Sequence, residues 1–126
     1  MKVLQVIDQA FRTTGEEQDD TILWLTQCMR GAGANLEVLL TGHGVFYSVQ
    51  SRPQPPLVFG KWQQTEPADI TQDIGRLREK GVPVYTVREE LEERGLADLP
   101  VQAGVEVISR EAVTRLYEDA DQIWHW

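Results

Sequence analysis

The chain has 126 residues, 41% of them apolar and 25% charged, which allows one packed core and argues against both a second domain and wholesale disorder. Its 20 acidic and 12 basic residues leave a net charge of −8, a surface that repels phosphate backbones and speaks against direct nucleic-acid binding. No apolar run approaches ~20 residues, so no segment reads as a membrane span. The single cysteine, Cys28, cannot form an internal disulfide and fits a reducing cytoplasm.

In chain order, "MKVLQVIDQAF" reads as a first strand over residues 3–7 rather than a signal peptide. Thr14 and Glu17 have the spacing of a capping box, and Glu16, Glu17, Asp19 and Asp20 load the first turns of a helix with favourable negative charge. Ile22, Leu25, Cys28, Met29 and Ala32 recur at three- and four-residue steps, which predicts that this face points inward and that Cys28 is buried and inert. A second strand follows over residues 36–40, and strand–helix–strand in so short a span implies a parallel crossover. Residues 42–64 mix Pro53, Pro55 and Pro56 with Phe46, Tyr47, Phe59 and Trp62. Such a stretch is too proline-rich for one helix and too aromatic for a solvated linker, and it predicts an oligomer contact or a pocket cover ahead of plain core packing. Then come a helix over 66–80, a strand over 82–85, a short helix over 87–94 and a strand in "GVEVIS". A helix from Arg110 to about Glu118, capped by Ser109, leads to a last strand in "DQIWHW". The predicted fold is a single α/β domain over residues 1–126, a sandwich with a mostly parallel five-stranded sheet flanked by helices.

Ligands of open parallel sheets bind beyond the carboxyl ends of the strands, so the loops there are the candidate sites. In the first, Thr13-Thr14-Gly15 loosely has the look of a flavodoxin-type phosphate loop. Four acidic residues crowd the helix end that would hold the anion, so no phosphate or flavin is expected. In the second, Gly42 and Gly44 flank His43 and let the backbone turn sharply, presenting at the sheet edge an imidazole that either hydrogen-bonds a neighbouring loop or is suited to acid–base work. In the third, Thr86, Val87 and Arg88 stand between strand and helix, where a helix N-terminus would activate a thiol. Thr86-x-x-Glu89 instead has capping-box spacing, and a threonine hydroxyl without an adjacent base is a poor nucleophile. His43 and His125 are the only histidines, and no HxH, HExxH or CxxC spacing occurs, so no metal is expected. The residues therefore point to no catalytic group and no cofactor, to a possible pocket of His43, Gly42, Gly44, Thr86, Val87 and Arg88, and to Cys28 as the one thiol.

The pieces "MKVLQVID", "LWLTQCMRGAGANLEVLLTGHGV", "LREKGVPVYTVREELEERGL" and "GVEVISREAVTRLYEDADQIWHW" follow one another in an order and spacing that resembles the DsrE/DsrF-like family of small sulfur-relay proteins. The resemblance runs over nearly the whole chain. It implies an α/β sandwich that works in the cytoplasm as a homotrimer or hexamer, or as a hetero-oligomer with sister subunits, in tRNA thiolation or sulfur oxidation. It also implies a cysteine in the turn before the helix leading to "RGL". Matched on Leu91 and Gly95, that position falls at Thr86 or Val87, and neither is cysteine. The expected role is thus a non-catalytic structural, regulatory or binding subunit. The alternatives are a small-molecule protein using a pocket between His43 and Thr86, and a sulfur carrier using Cys28.

Overall fold

Strands that alternate with helices must be joined by crossovers, and the resulting sheet is parallel throughout. The computed structural model describes residues 1–12 and 20–126. The capping-box pair Thr14 and Glu17, with Thr13, Gly15, Glu16 and Asp19, lies outside the described residues. The chain runs from β1 (Lys2–Ile7) through α1 (Thr21–Gly31) to β2 (Asn35–Leu40), then through a 3-10 helix at Gly42–Ser48. A small hairpin, β3 (Val58–Phe59) and β4 (Trp62–Gln63), precedes α2 (Ile70–Glu79) and β5 (Val84–Val87). Last come α3 (Arg88–Glu93), β6 (Val105–Ile108), α4 (Val113–Asp119) and β7 (Gln122–His125). The main sheet has five strands in the order β6-β5-β2-β1-β7.

Each central strand is apolar on both sides, and alternate residues serve opposite layers. Val3, Ile7, Leu36, Val38, Leu40 and Val84 pack on one face against Leu23 of α1 and Ile70, Ile74 and Leu77 of α2. Leu4, Val6, Leu39 and Val87 point the other way, toward Val113 and Leu116 of α4. A third cluster, Val45, Val49, Leu91 and Leu96, joins the 3-10 helix to α3.

Local chemistry moves several elements from where periodicity alone puts them. Asp20 is the N-cap of α1 rather than a residue of its first turn, accepting from the amides of Ile22 and Leu23. The helix is rotated so that Ile22, Leu23, Thr26 and Met29 face inward, and Cys28 is exposed, not buried. The reason lies beneath it. Gln5 is fully buried in β1, and its amide nitrogen donates to Thr26 Oγ1 at 3.4 Å while its oxygen accepts from Trp126 Nε1 at 2.7 Å. A buried amide needs such partners, so the helix turns a threonine toward the sheet. Helix α2 starts at Ile70 rather than Glu66, where Asp69 caps the amide of Gln72. Strand β5 runs two residues further than the apolar run suggests, because Pro83 supplies only a carbonyl, to Val38, and the ladder with β2 continues through Thr86. Helix α4 starts at Val113 rather than Arg110 and its N-cap is Ala112, without a side-chain bond, so Ser109 is not its cap: its Oγ accepts from the amide of Ala112 in the turn before the helix.

Two glycines let the 3-10 helix cross the end of β1. A Cβ on Gly44 would lie 2.0 Å from the Ile7 carbonyl oxygen, and one on Gly42, at φ +53°, would lie 1.9 Å from Asp8 Oδ1. Gly75, inside α2, has nothing within 4 Å of an added carbon. Gly44→Ala is therefore expected to lower the unfolding free energy by about 3 kcal/mol or more, since backbone must move. Gly75→Ala is expected to raise it by about 0.5–1 kcal/mol. Urea unfolding measures both, and similar effects at the two positions would contradict the crossing.

Candidate functional site

The carboxyl edge of the sheet is organised by one buried carboxylate. Asp20 Oδ1 accepts from the amides of Ile22 and Leu23 at 2.9 and 3.0 Å, and Oδ2 accepts from the Tyr47 hydroxyl at 2.6 Å. The Tyr47 oxygen in turn accepts from the amide of Phe11 at 2.7 Å. Phe11 has φ +58°, a left-handed conformation uncommon for a non-glycine residue, and its ring meets the Tyr47 ring edge-on at 5.1 Å. The β1 exit, the start of α1 and the 3-10 helix thus meet at a single phenol. Burial first, and the neighbouring Asp20 carboxylate second, push the Tyr47 hydroxyl far above the usual tyrosine range.

Beside this junction Arg12, Asp20, Thr21, Ile22 and Trp126 line a cleft of about 370 Å³. Trp126 is fixed there by its backbone, donating to Val6 and accepting from Asp8. His125 Nε2 lies 3.9 Å from Asp8 Oδ2. His43 is exposed, as its glycine neighbours suggest, with its ring nearly parallel to that of Phe46 at 6.4 Å.

Thr86 has a different place. It is 0% exposed, and its hydroxyl donates to Ser48 Oγ at 3.2 Å, while Ser48 donates to the Val45 carbonyl at 2.6 Å. The hydroxyl ties β5 to the 3-10 helix. It is not a helix cap, because the N-cap of α3 is Val87 and no side chain accepts there. Thr86 and His43 accordingly do not share a surface, since one is enclosed and the other lies in solvent. Val87 is buried on the opposite face, against the α4 layer, and Arg88 is exposed. Cys28, in the second half of α1, lies toward the amino edge of the sheet, away from these strand ends.

Helix α3 lacks a side-chain cap and is held from outside by charge. Arg94 pairs with Glu90 at 2.6 Å within the helix. Arg110, after β6, reaches Glu93 at 2.9 Å and Glu90 at 3.5 Å, and its backbone amide donates to Glu89. The hydrogen bond from Arg110 holds the Glu93 carboxyl below the usual range. Among the described residues no group of three or more His, Cys, Asp or Glu side chains is placed to hold a metal ion.

No family model and no curated protein matches the sequence. Solved structures do match. The ychN protein from E. coli superposes with a TM-score of 0.75 at 19% identity, over 99% of this chain and 98% of that one. MTH1491 from Methanobacterium thermoautotrophicum, a protein of unknown function, superposes with a TM-score of 0.66 at 17% identity, over 99% and 98%. The chain has their fold.

Sequence reading does not bring Asp20, Tyr47, Ser48 and Trp126 together at the carboxyl edge. Asp20 carries a usable signal, an aspartate directly before an apolar helical pattern. Tyr47 and Ser48 carry none, because a 3-10 turn has neither strand nor α-helix period.

Tyr47→Phe removes a donor from buried Asp20 and an acceptor from Phe11, and is expected to cost about 1–3 kcal/mol at neutral pH. The pH dependence has a definite sign. A phenol raised in the folded state stabilises the fold below the unfolded value of about 10, and that contribution is lost as pH rises further. Urea midpoints should therefore fall more steeply above about pH 10 in the wild type than in Tyr47→Phe. Identical alkaline losses would show that the phenol does not couple to folding.

Proposed function

We propose that the chain is a DsrE-like cytoplasmic subunit of sulfur metabolism that acts by assembly and binding and carries no sulfur itself. The full-length likeness in fold to the ychN protein, beside the ordered sequence resemblance to the DsrE/DsrF-like family, supports the family part of this reading. One observation carries the non-catalytic part. The two positions that match the family's cysteine hold Thr86, whose hydroxyl is enclosed and hydrogen-bonded to Ser48, and Val87, whose side chain is buried under α4. Neither can form a thiolate, and Cys28 lies on another element, without the strand-end and helix-N-terminus setting that activates a thiol. Assembly with further copies or with thiol-bearing sister subunits would then supply the chemistry.

A second reading, small-molecule binding, is favoured by the cleft between Arg12 and Trp126, whose volume lies in the range of ligand sites. It would use that cleft rather than a pocket joining His43 to Thr86.

Sulfur transfer tests the main reading. The full chain is incubated with glutathione persulfide and an acceptor thiol, and transfer is followed by mass spectrometry. The wild type is expected to add nothing to the rate of donor alone, and Cys28→Ser to match it within about twofold, because an exposed thiol in an ordinary setting has no advantage over a free one. A chain-dependent rate that Cys28→Ser lowers tenfold or more would make Cys28 a carrier and overturn the proposal. Light scattering at micromolar concentration is expected to give a multiple of the single-chain mass.

A further inference from the structure

Two surface features lie on different elements of the molecule. The first is the hairpin of β3 and β4. Phe59 and Trp62 pair across it with ring centroids 5.8 Å apart, and they are 67% and 55% exposed. Gly60 and Lys61 form the turn, so an aromatic knob projects with a cation at its tip. Large exposed aromatics side by side are the composition of an interface core rather than of ordinary surface. The second is a cavity of about 190 Å³ between α3, the turn after it and β6. Buried Leu91 and Leu96, with Val101 and Val107, line it, and exposed Arg88 and Glu92 stand at its rim. It is smaller than the ~300 Å³ at which ligand pockets begin, and of the scale of one side chain.

The charges match as well. Lys61, Arg88 and Glu92 make no ion pair within the described residues, whereas the neighbouring Glu90, Glu93, Arg94 and Arg110 are paired with one another. A knob entering the cavity would set the Lys61 ammonium toward the Glu92 carboxylate and the Trp62 ring under the Arg88 guanidinium, an arrangement in which cation and ring face attract. Lys61 on the knob and Glu92 at the cavity rim, neither in an ion pair within the described residues, are of opposite charge, and this complementarity selects the hairpin of a second copy as the occupant.

We infer that the Phe59–Trp62 knob of one copy seats in the cavity beside α3 of the next. The inference rests on the assembly reading above and names the surface that would carry it. Because knob and cavity are different patches, the contact is head-to-tail, and repetition closes a ring or continues as a filament.

The experiment mixes two defective full-length chains. Trp62→Ser removes the knob and keeps the cavity, while Ala97→Trp, at an exposed residue lining the cavity, blocks it and keeps the knob. Circular dichroism and urea midpoints check that both remain folded. Each alone is expected to assemble at least tenfold more weakly than the wild type, because a central tryptophan dominates such contacts. Mixed at equal amounts they should form a dimer and nothing larger, since one intact contact remains per pair. Lys61→Glu and Glu92→Lys should each weaken assembly and together restore it. A wild type that stays monomeric would overturn the assembly reading together with this contact. A wild-type oligomer that survives Trp62→Ser, or a mixture that stays monomeric, would overturn the contact and leave the assembly reading standing.

Discussion

The carboxylate of Asp20 is the constraint on which the site end of the molecule depends. It receives three hydrogen bonds from two chain segments, and the hydroxyl that gives one of them receives a fourth from a third segment. Removing a carboxylate from water is costly unless its lone pairs are filled, and here they are filled by the groups whose positions matter most. The start of α1, the 3-10 helix and the left-handed turn at Phe11 consequently cannot shift independently. The backbone contact between Gly44 and Ile7 joins two of these segments, the 3-10 helix and the exit of β1, a second time.

How far the fold was legible follows from what each element is made of. The strands, the order of the helices and the parallel sheet came from apolar runs and crossover lengths, which depend on local sequence alone. The rotation of α1 did not, because it answers to Gln5, a polar residue buried in a different element. The shift of β5 and the late start of α2 have the same character, set by a proline without an amide hydrogen and by an aspartate cap. At the site, the glycine-flanked turn around His43 was readable because glycine reports close backbone approach. The Tyr47–Asp20 bond was not, because its partners are 27 residues apart with no periodic signal between them. Thr86 shows the limit most clearly. Its spacing to Glu89 suits a helix cap, yet the ladder to β2 claims it for the strand and turns its hydroxyl inward.

That inward turn gives position 86 a structural meaning. A hydroxyl that bridges a strand to the 3-10 helix stabilises the carboxyl edge of the sheet, and a valine next to it fills the layer under α4. At this edge Asp20, Tyr47, Ser48 and Thr86 are bonded to one another or to backbone, while Lys61, Arg88 and Glu92, which bear on the proposed contact between copies, remain available on the surface.

The ion pairs around α3 have a consequence for how the parts of the molecule respond to solution conditions. The helix has six residues, a length at which intrinsic helicity is negligible, and one buried leucine. What fixes its outer side is Arg110, which reaches across from the turn after β6. Attraction between exposed charges fades as dissolved ions screen it, while the burial that holds the sheet does not. Ionic strength therefore acts on one short helix and the cavity it roofs and, in the sheet, on the Lys2–Glu37 pair between β1 and β2, but not on the apolar packing of the strands. A crowded, ion-rich solution and a dilute one would find the same sheet with a differently tethered rim.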